Sequence, residues 1–147
     1  MSDQPRNTYT NPYVNDAEIE TLLARFESCE LPPDDVSHRA HVAMSAWCFL
    51  KLSEAEAAAR IYDGLQRYVK WHSLNVYNET ITWFWIKLIG RAVAGADRTR
   101  PAFAIINEVA ARFGDSRMIF AYYTRERLYG DEARRRWVEP DLQPLDL

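Results

Sequence analysis

The segment that decides the fold lies at residues 37–51 and reads SHRAHVAMSAWCFLK. Arg39 and Lys51 are its only permanent charges, so a helix over this segment is apolar on nearly every side. A helix of that kind is buried among other helices. The predicted helix runs from about Ser37 to Lys51. The segment therefore predicts the central element of an all-α bundle.

Helical spacing of apolar residues, together with capping residues, predicts the elements around this segment. Asp16 and Asn78 are candidate N-caps, and Ser53 begins a sequence with capping-box spacing. The first predicted helix begins at Asp16. The helices predicted after the second one cover residues 53–69, 79–94, 99–114, 115–123 and 131–136.

We therefore expect a single helical domain over residues 16–147, a bundle of about five to six helices. Prolines keep the C-terminal tail after Trp137 extended. Residues 1–15 contain two prolines and several asparagines, which predicts a flexible N-terminal arm.

Composition limits the classes of function. The 147 residues, 48% of them hydrophobic, suffice for one well-packed domain. The net charge of −3 disfavours nucleic-acid binding, which needs an excess of cations. No stretch approaches the ~20 apolar residues that span a bilayer. The two cysteines form no disulfide framework, so we expect a cytoplasmic protein without a membrane or nucleic-acid partner; the oligomeric state stays open.

Polar residues lie on helix faces that must be buried. His38, His41 and Ser45 fall within an arc of about 80° on the second helix, and Glu79 heads an apolar face of the fourth. In an up-down bundle these two helices run parallel, which brings their N-termini to the same end. The sequence therefore predicts that His38, His41 and Glu79 meet as catalytic residues, with Thr82 in the same layer.

Three interpretations of this set stay open. Two histidines and one carboxylate suit a divalent zinc, iron or manganese ion with free coordination positions. Without a metal, a neutral histidine beside Glu79 can act as a general base on a small-molecule substrate. In the alternative interpretation, the three residues form a structural polar network in a non-catalytic module that binds a ligand or a protein.

Several side chains could bind the substrate of such a site. Tyrosine and threonine hydroxyls supply hydrogen-bond donors, and tryptophans such as Trp83 and Trp85 could line an apolar pocket. Arg125 could bind a carboxylate or a phosphate. The predicted substrate-binding residues are Thr82, Tyr77, Asn78, Tyr122, Tyr123, Arg125 and Trp83.

Three segments together resemble a group of small uncharacterised bacterial helical proteins. They are HRAHV at 38–42, YNETIT at 77–82 and WVEPDLQPL at 137–145, and the resemblance covers roughly residues 20–147. Members of the group typically have histidine where this chain has Asn78. An amide is neutral and a poor ligand for zinc or iron. Either the chemistry in this chain depends on His38, His41 and Glu79, or this chain binds a ligand without catalysis. The resemblance implies no mechanism.

Overall fold

The computed structural model describes residues 12–146 and has helices but no strands over that range, which confirms the all-α prediction. Five long helices form a bundle: α1 (Asp16–Glu27), α2 (His38–Lys51), α3 (Glu54–Trp71), α4 (Glu79–Ala94) and α5 (Ala102–Phe113). The short elements are a 3-10 helix before α2 (Pro33–Asp35), a second 3-10 helix (Ser116–Ala121), α6 (Arg125–Leu128) and α7 (Asp131–Arg135).

Helix α2 is the centre of the bundle and packs against α1, α3, α4 and α5. Eight of its fourteen residues are buried, as expected for a helix that is apolar on nearly every side. Ser37 caps α2 by accepting a hydrogen bond from the Ala40 amide. At the crossing with α4, a Cβ on Gly90 would lie 2.9 Å from the Phe49 ring, so glycine permits this close approach.

Helix α4 is buried on two sides and joins two hydrophobic clusters. Ile89 belongs to the main core around α2, whereas Phe84 packs with the C-terminal residues, among them Tyr123 and Leu128. The fully buried Thr80 hydroxyl donates to the carbonyls of Ala133 or Arg136, both at 2.8 Å, and accepts from the Val138 amide. The C-terminal segment, residues 116–146, is therefore attached to α4 through polar as well as apolar contacts.

The start of α1 differs from the prediction. Asn15, not Asp16, caps the helix by accepting from the Glu18 amide at 3.0 Å. Asp16 accepts instead from the Phe103 amide, also at 3.0 Å, in the first turn of α5. The residue before α5 is Pro101, whose side chain has no polar atom to cap that helix. The carboxylate of Asp16, distant in sequence, therefore accepts the hydrogen bond of a backbone N–H in the first turn of α5.

The C-terminal third is more broken than predicted. The segment expected as a helix over 115–123 is a 3-10 helix, and α6 was not predicted. The tail after Trp137 is extended, as expected, but it is firmly attached. The Tyr123 hydroxyl donates to the Val138 carbonyl at 2.6 Å, and the Leu142 amide donates to the Tyr122 carbonyl.

Most of the predicted N-terminal arm, residues 1–11, lies outside the described residues. Tyr13, which belongs to the same predicted arm, is buried rather than loose. Its backbone N–H donates to the Asn107 side chain on α5 and its carbonyl accepts from that side chain, both at 2.8 Å. Among the helices of residues 12–146, none combines the length and apolar character needed to cross a membrane.

Candidate functional site

A cavity of about 260 Å³ lies where α2, α3 and α4 meet the C-terminal segment. Its polar lining comes from His38, His41, Ser45, Thr82 and Ser116. The remaining lining is apolar or aromatic: Val42, Ile61, Leu65, Ile81, Trp85, Ile86, Ile89, Ile119, Phe120 and Tyr129. Ser116 and Tyr129 are exposed, so they mark the mouth of the cavity. No lysine, arginine, aspartate or glutamate of the described chain lines it.

His38 is oriented by the backbone of α5. Its Nε2 atom lies 2.9 Å from the Phe113 carbonyl oxygen. A carbonyl only accepts hydrogen bonds, so Nε2 carries the proton, and Nδ1 of the neutral ring is an acceptor. Burial lowers the pKa of His38, and the Phe113 carbonyl and the Asp115 carboxylate offset part of this effect. The His38 ring also packs against Trp85, with 4.3 Å between ring centroids.

His41 lies one turn further along α2 and lacks such an anchor. Among residues 12–146, no group forms a hydrogen bond with either of its ring nitrogens. Its ring meets the Phe26 ring edge-on at 5.6 Å between centroids. Burial, and secondarily the neighbouring His38, lower the pKa of His41 to about 4. His41 is therefore uncharged at neutral pH, and its nitrogens are free to engage a bound molecule.

A second, much smaller space of about 30 Å³ lies behind His41 and Ser45, which line both volumes. It is large enough for a water molecule, which needs roughly 10–15 Å³ of such volume. Cys48 also lines this space, and burial raises the pKa of its thiol to about 11. A thiol in that state is a poor nucleophile, so Cys48 is a core residue.

Glu79 is engaged elsewhere. Its carboxylate accepts a hydrogen bond from the Tyr62 hydroxyl at 2.9 Å and a short one from the Tyr77 hydroxyl. Burial and the Glu79 carboxylate together raise the pKa of both tyrosines. The Tyr62 ring stacks on Trp83 at 5.2 Å. This cluster adjoins the cavity only through Thr82, one turn further along α4.

The predicted meeting of three residues is therefore only partly found. His38, His41 and Thr82 line one cavity, as expected for parallel α2 and α4, but Glu79 does not line it. Across residues 12–146, no three histidine, cysteine, aspartate or glutamate side chains are grouped so that they could hold a metal ion. The predicted ligand set His38, His41 and Glu79 is therefore not assembled. Nor does Glu79 orient a histidine; the Phe113 carbonyl does this for His38.

Of the predicted substrate-binding residues, Thr82 lines the cavity. Asn78 is buried and accepts from the Ile81 amide while donating to the Leu128 carbonyl at 2.8 Å. Asn78 thus joins α4 to the C-terminal segment. The Tyr77 hydroxyl donates its hydrogen bond to Glu79, and the Trp83 ring stacks on Tyr62.

The remaining three predicted residues lie in the C-terminal third and are not part of the lining. Tyr123 is fully buried and bonded to the Val138 carbonyl, and Tyr122 packs against Phe84. Arg125 is exposed, and its guanidinium lies 4.1 Å from the centroid of the Phe120 ring. Arg125 therefore contacts Phe120, a residue of the lining, but does not line the cavity itself.

Sequence reasoning missed the contribution of the C-terminal third. Ser116, Ile119, Phe120 and Tyr129 close the cavity from this side. Their spacing follows a 3-10 helix and a turn, which leave no 3.6-residue period to detect. Trp85, one of the tryptophans expected at a pocket, does line the cavity.

The geometry stands without a precedent to interpret it. A scan against protein-family models and searches of curated proteins and of solved structures found no match to this chain.

Proposed function

We propose that this protein binds a small organic molecule in the cavity between α2, α4 and the C-terminal segment, and that His41 acts on it as a general base. The observation that carries the proposal is the state of His41. It is a neutral imidazole without a hydrogen-bond partner among the described residues, and it lines an otherwise mostly apolar cavity. A hydrogen bond from a ligand to this imidazole would contribute about 0.5–1.5 kcal/mol to binding.

The size and lining of the cavity support a compact ligand. Sites for drug-sized molecules have volumes of roughly 300–1,000 Å³, and the cavity lies just below that range at about 260 Å³. A mostly apolar wall with a few polar groups is typical of small-molecule sites. Both cysteines are buried free thiols, and a cytoplasmic setting is part of the proposal.

The lowered pKa of His41 favours a base that is available over a wide pH range. With a pKa of about 4, the imidazole is deprotonated throughout the neutral range. The same shift makes it a weaker base, because proton transfer is most efficient when the catalytic pKa lies near the working pH. This observation favours a second candidate function, in which the cavity binds its ligand without catalysis.

Two substitutions at Ser45 test whether the cavity is the binding site. Ser45→Leu places a branched side chain in the cavity, whereas Ser45→Ala leaves it open. A panel of small aromatic and alicyclic compounds, screened by ligand-detected NMR, is expected to bind the native protein and the alanine variant but not the leucine variant. Equal binding to both variants would place the ligand elsewhere on the protein.

The base role can be tested with a neutral aromatic probe, 5-nitrobenzisoxazole. Removal of its C3 proton by a base breaks the N–O bond and releases a coloured cyanophenolate. We expect the rate to rise with pH through the titration of His41 near pH 4 and then to stay level. His41→Leu should remove this rate, whereas His72→Leu, at a histidine outside the cavity, should retain it. An unchanged rate in His41→Leu leaves the non-catalytic candidate.

A further inference from the structure

We infer that the ligand of this cavity is an uncharged ring compound that donates a hydrogen bond, through a hydroxyl or an N–H group, to an imidazole acceptor of the histidine pair. The inference rests on the proposed function and narrows it to one chemical class. Three features of the lining carry it: the lack of a charged residue, an excess of hydrogen-bond acceptors, and three aromatic side chains.

The lack of a charged lining residue selects an uncharged ligand. A carboxylate, phosphate or ammonium group placed in this space would lose its hydration without gaining an opposite charge. The two histidines do not supply one, because burial lowers the pKa of both and leaves them neutral. Arg125, whose guanidinium lies on the Phe120 ring, is exposed to solvent and is not part of the lining.

Hydrogen-bond accounting selects a donor. His38 uses its N–H on the Phe113 carbonyl, so the atom that remains, Nδ1, is an acceptor. A neutral His41 offers one donor and one acceptor. The Thr82 hydroxyl uses its hydrogen on the Asn78 carbonyl at 3.1 Å, which leaves acceptor lone pairs. The remaining hydroxyls, on Ser45, Ser116 and Tyr129, can serve either way, and the Trp85 indole N–H is a fixed donor. Acceptors therefore outnumber the fixed donors.

The aromatic residues select a flat apolar body. Trp85, Phe120 and Tyr129 contribute rings to the lining, with aliphatic side chains from α3 and α4 between them. Ring pairs gain about 0.5–1.5 kcal/mol beyond the burial of their area. A single ring that carries one donor group satisfies both the apolar wall and the histidine end.

Three probes that share one ring separate these requirements. Phenol is neutral at pH 7 and donates a hydrogen bond, anisole is neutral and only accepts, and benzoate is charged. The native protein is titrated with each probe, and binding is followed by calorimetry or by the ring signals of His38 and His41 in NMR. Phenol should bind most tightly, anisole more weakly and benzoate most weakly. One hydrogen bond predicts a preference for phenol over anisole of roughly three- to tenfold.

A matched pair of variants identifies the acceptor. His38→Gln can keep an N–H donor for the Phe113 carbonyl but has no atom equivalent to Nδ1. His72→Gln is the control, because the Nε2 atom of His72 likewise donates to a carbonyl, that of Cys29 at 3.0 Å, yet His72 does not line the cavity. The preference for phenol should fall in His38→Gln and stay unchanged in His72→Gln.

Each result decides the inference. Equal affinities of phenol and anisole, or the tightest binding by benzoate, overturn it, but the proposed function survives if Ser45→Leu abolishes that binding. A phenol preference that persists in both His38→Gln and His41→Leu also overturns the inference, because neither imidazole is then the acceptor. Failure of all three probes and of the wider compound panel overturns the inference and the proposed function together.

Discussion

The N-terminal turns of α2 and α4 place polar residues on apolar faces near the same end of the bundle, but they treat them differently. On α4, Glu79 receives hydrogen bonds from Tyr62 and Tyr77. On α2, His41 has no such partner among the described residues and lines a cavity.

The difference shows what makes a buried polar residue a candidate site. A group whose hydrogen bonds are satisfied within the chain contributes to stability, and removing it leaves its partners unpaired. A group whose hydrogen bonds are not satisfied reduces stability until a ligand or water supplies them. The two helices therefore share one sequence pattern, a polar residue at the start of an apolar face. It corresponds to a satisfied structural network on α4 and to a candidate binding site on α2.

The largest expected effect is at Glu79. Glu79→Ala leaves two half-buried tyrosine hydroxyls without an acceptor, so we expect the free energy of unfolding to fall by about 3–4 kcal/mol. The corresponding fall in melting temperature is roughly 10 °C. Urea and thermal denaturation measure both. Glu79→Gln, which keeps an amide oxygen as acceptor, should lose less; a loss below about 1 kcal/mol in Glu79→Ala would contradict the structural role.

The second effect is a loss of stability in mild acid. The pKa of His41 is about 4 in the folded chain and about 6.5 when unfolded, so between these values the unfolded state binds the additional proton. Stability should be fully present above pH 6.5 and fall on the order of 2 kcal/mol as the pH drops to 4. His38, whose pKa is also lowered, acts in the same direction.

Denaturation of the native protein and of His41→Leu at several pH values between 4 and 7 measures this contribution. The variant should lose most of the slope. The carboxylates of Asp115 and Asp141, whose pKa values are lowered by their hydrogen bonds, affect stability only at lower pH. An identical slope in both proteins would show that His41 titrates normally.

The smallest expected effect is that of His41→Leu at neutral pH. Since the described chain offers the imidazole no hydrogen bond, replacement by an apolar side chain should change the free energy of unfolding by less than about 1 kcal/mol, and can raise it. Thermal denaturation at pH 7 measures the change. A loss comparable with that of Glu79→Ala would mean that His41 is part of a structural network, and the contrast between the two helices would disappear.

Local signals predicted the helices well. Ser53 and Asn78 are N-caps as expected, because a cap acts within three residues of its own position. The prediction that Asp16 caps α1 was wrong, because its carboxylate accepts from the Phe103 amide of α5, 87 residues away.

The candidate site was predictable only in part. The periodicity of α2 placed His38, His41 and Ser45 on one face, and all three line the cavity. The same argument placed Glu79 beside them, but two tyrosine hydroxyls bind its carboxylate instead. A helical period describes the face of the helix on which a side chain lies. It does not tell which neighbouring group forms a hydrogen bond with that side chain.

The sequence by itself determined the helical elements, since their hydrogen bonds join residues four apart and their caps act over a single turn. Tertiary structure alone decided which polar groups are satisfied. The Phe113 carbonyl that orients His38 lies 75 residues away, and the Tyr62 hydroxyl that binds Glu79 lies 17 away on another helix. Hydrogen bonds are short and directional, so small shifts in helix packing determine whether a buried group finds a partner or faces a cavity.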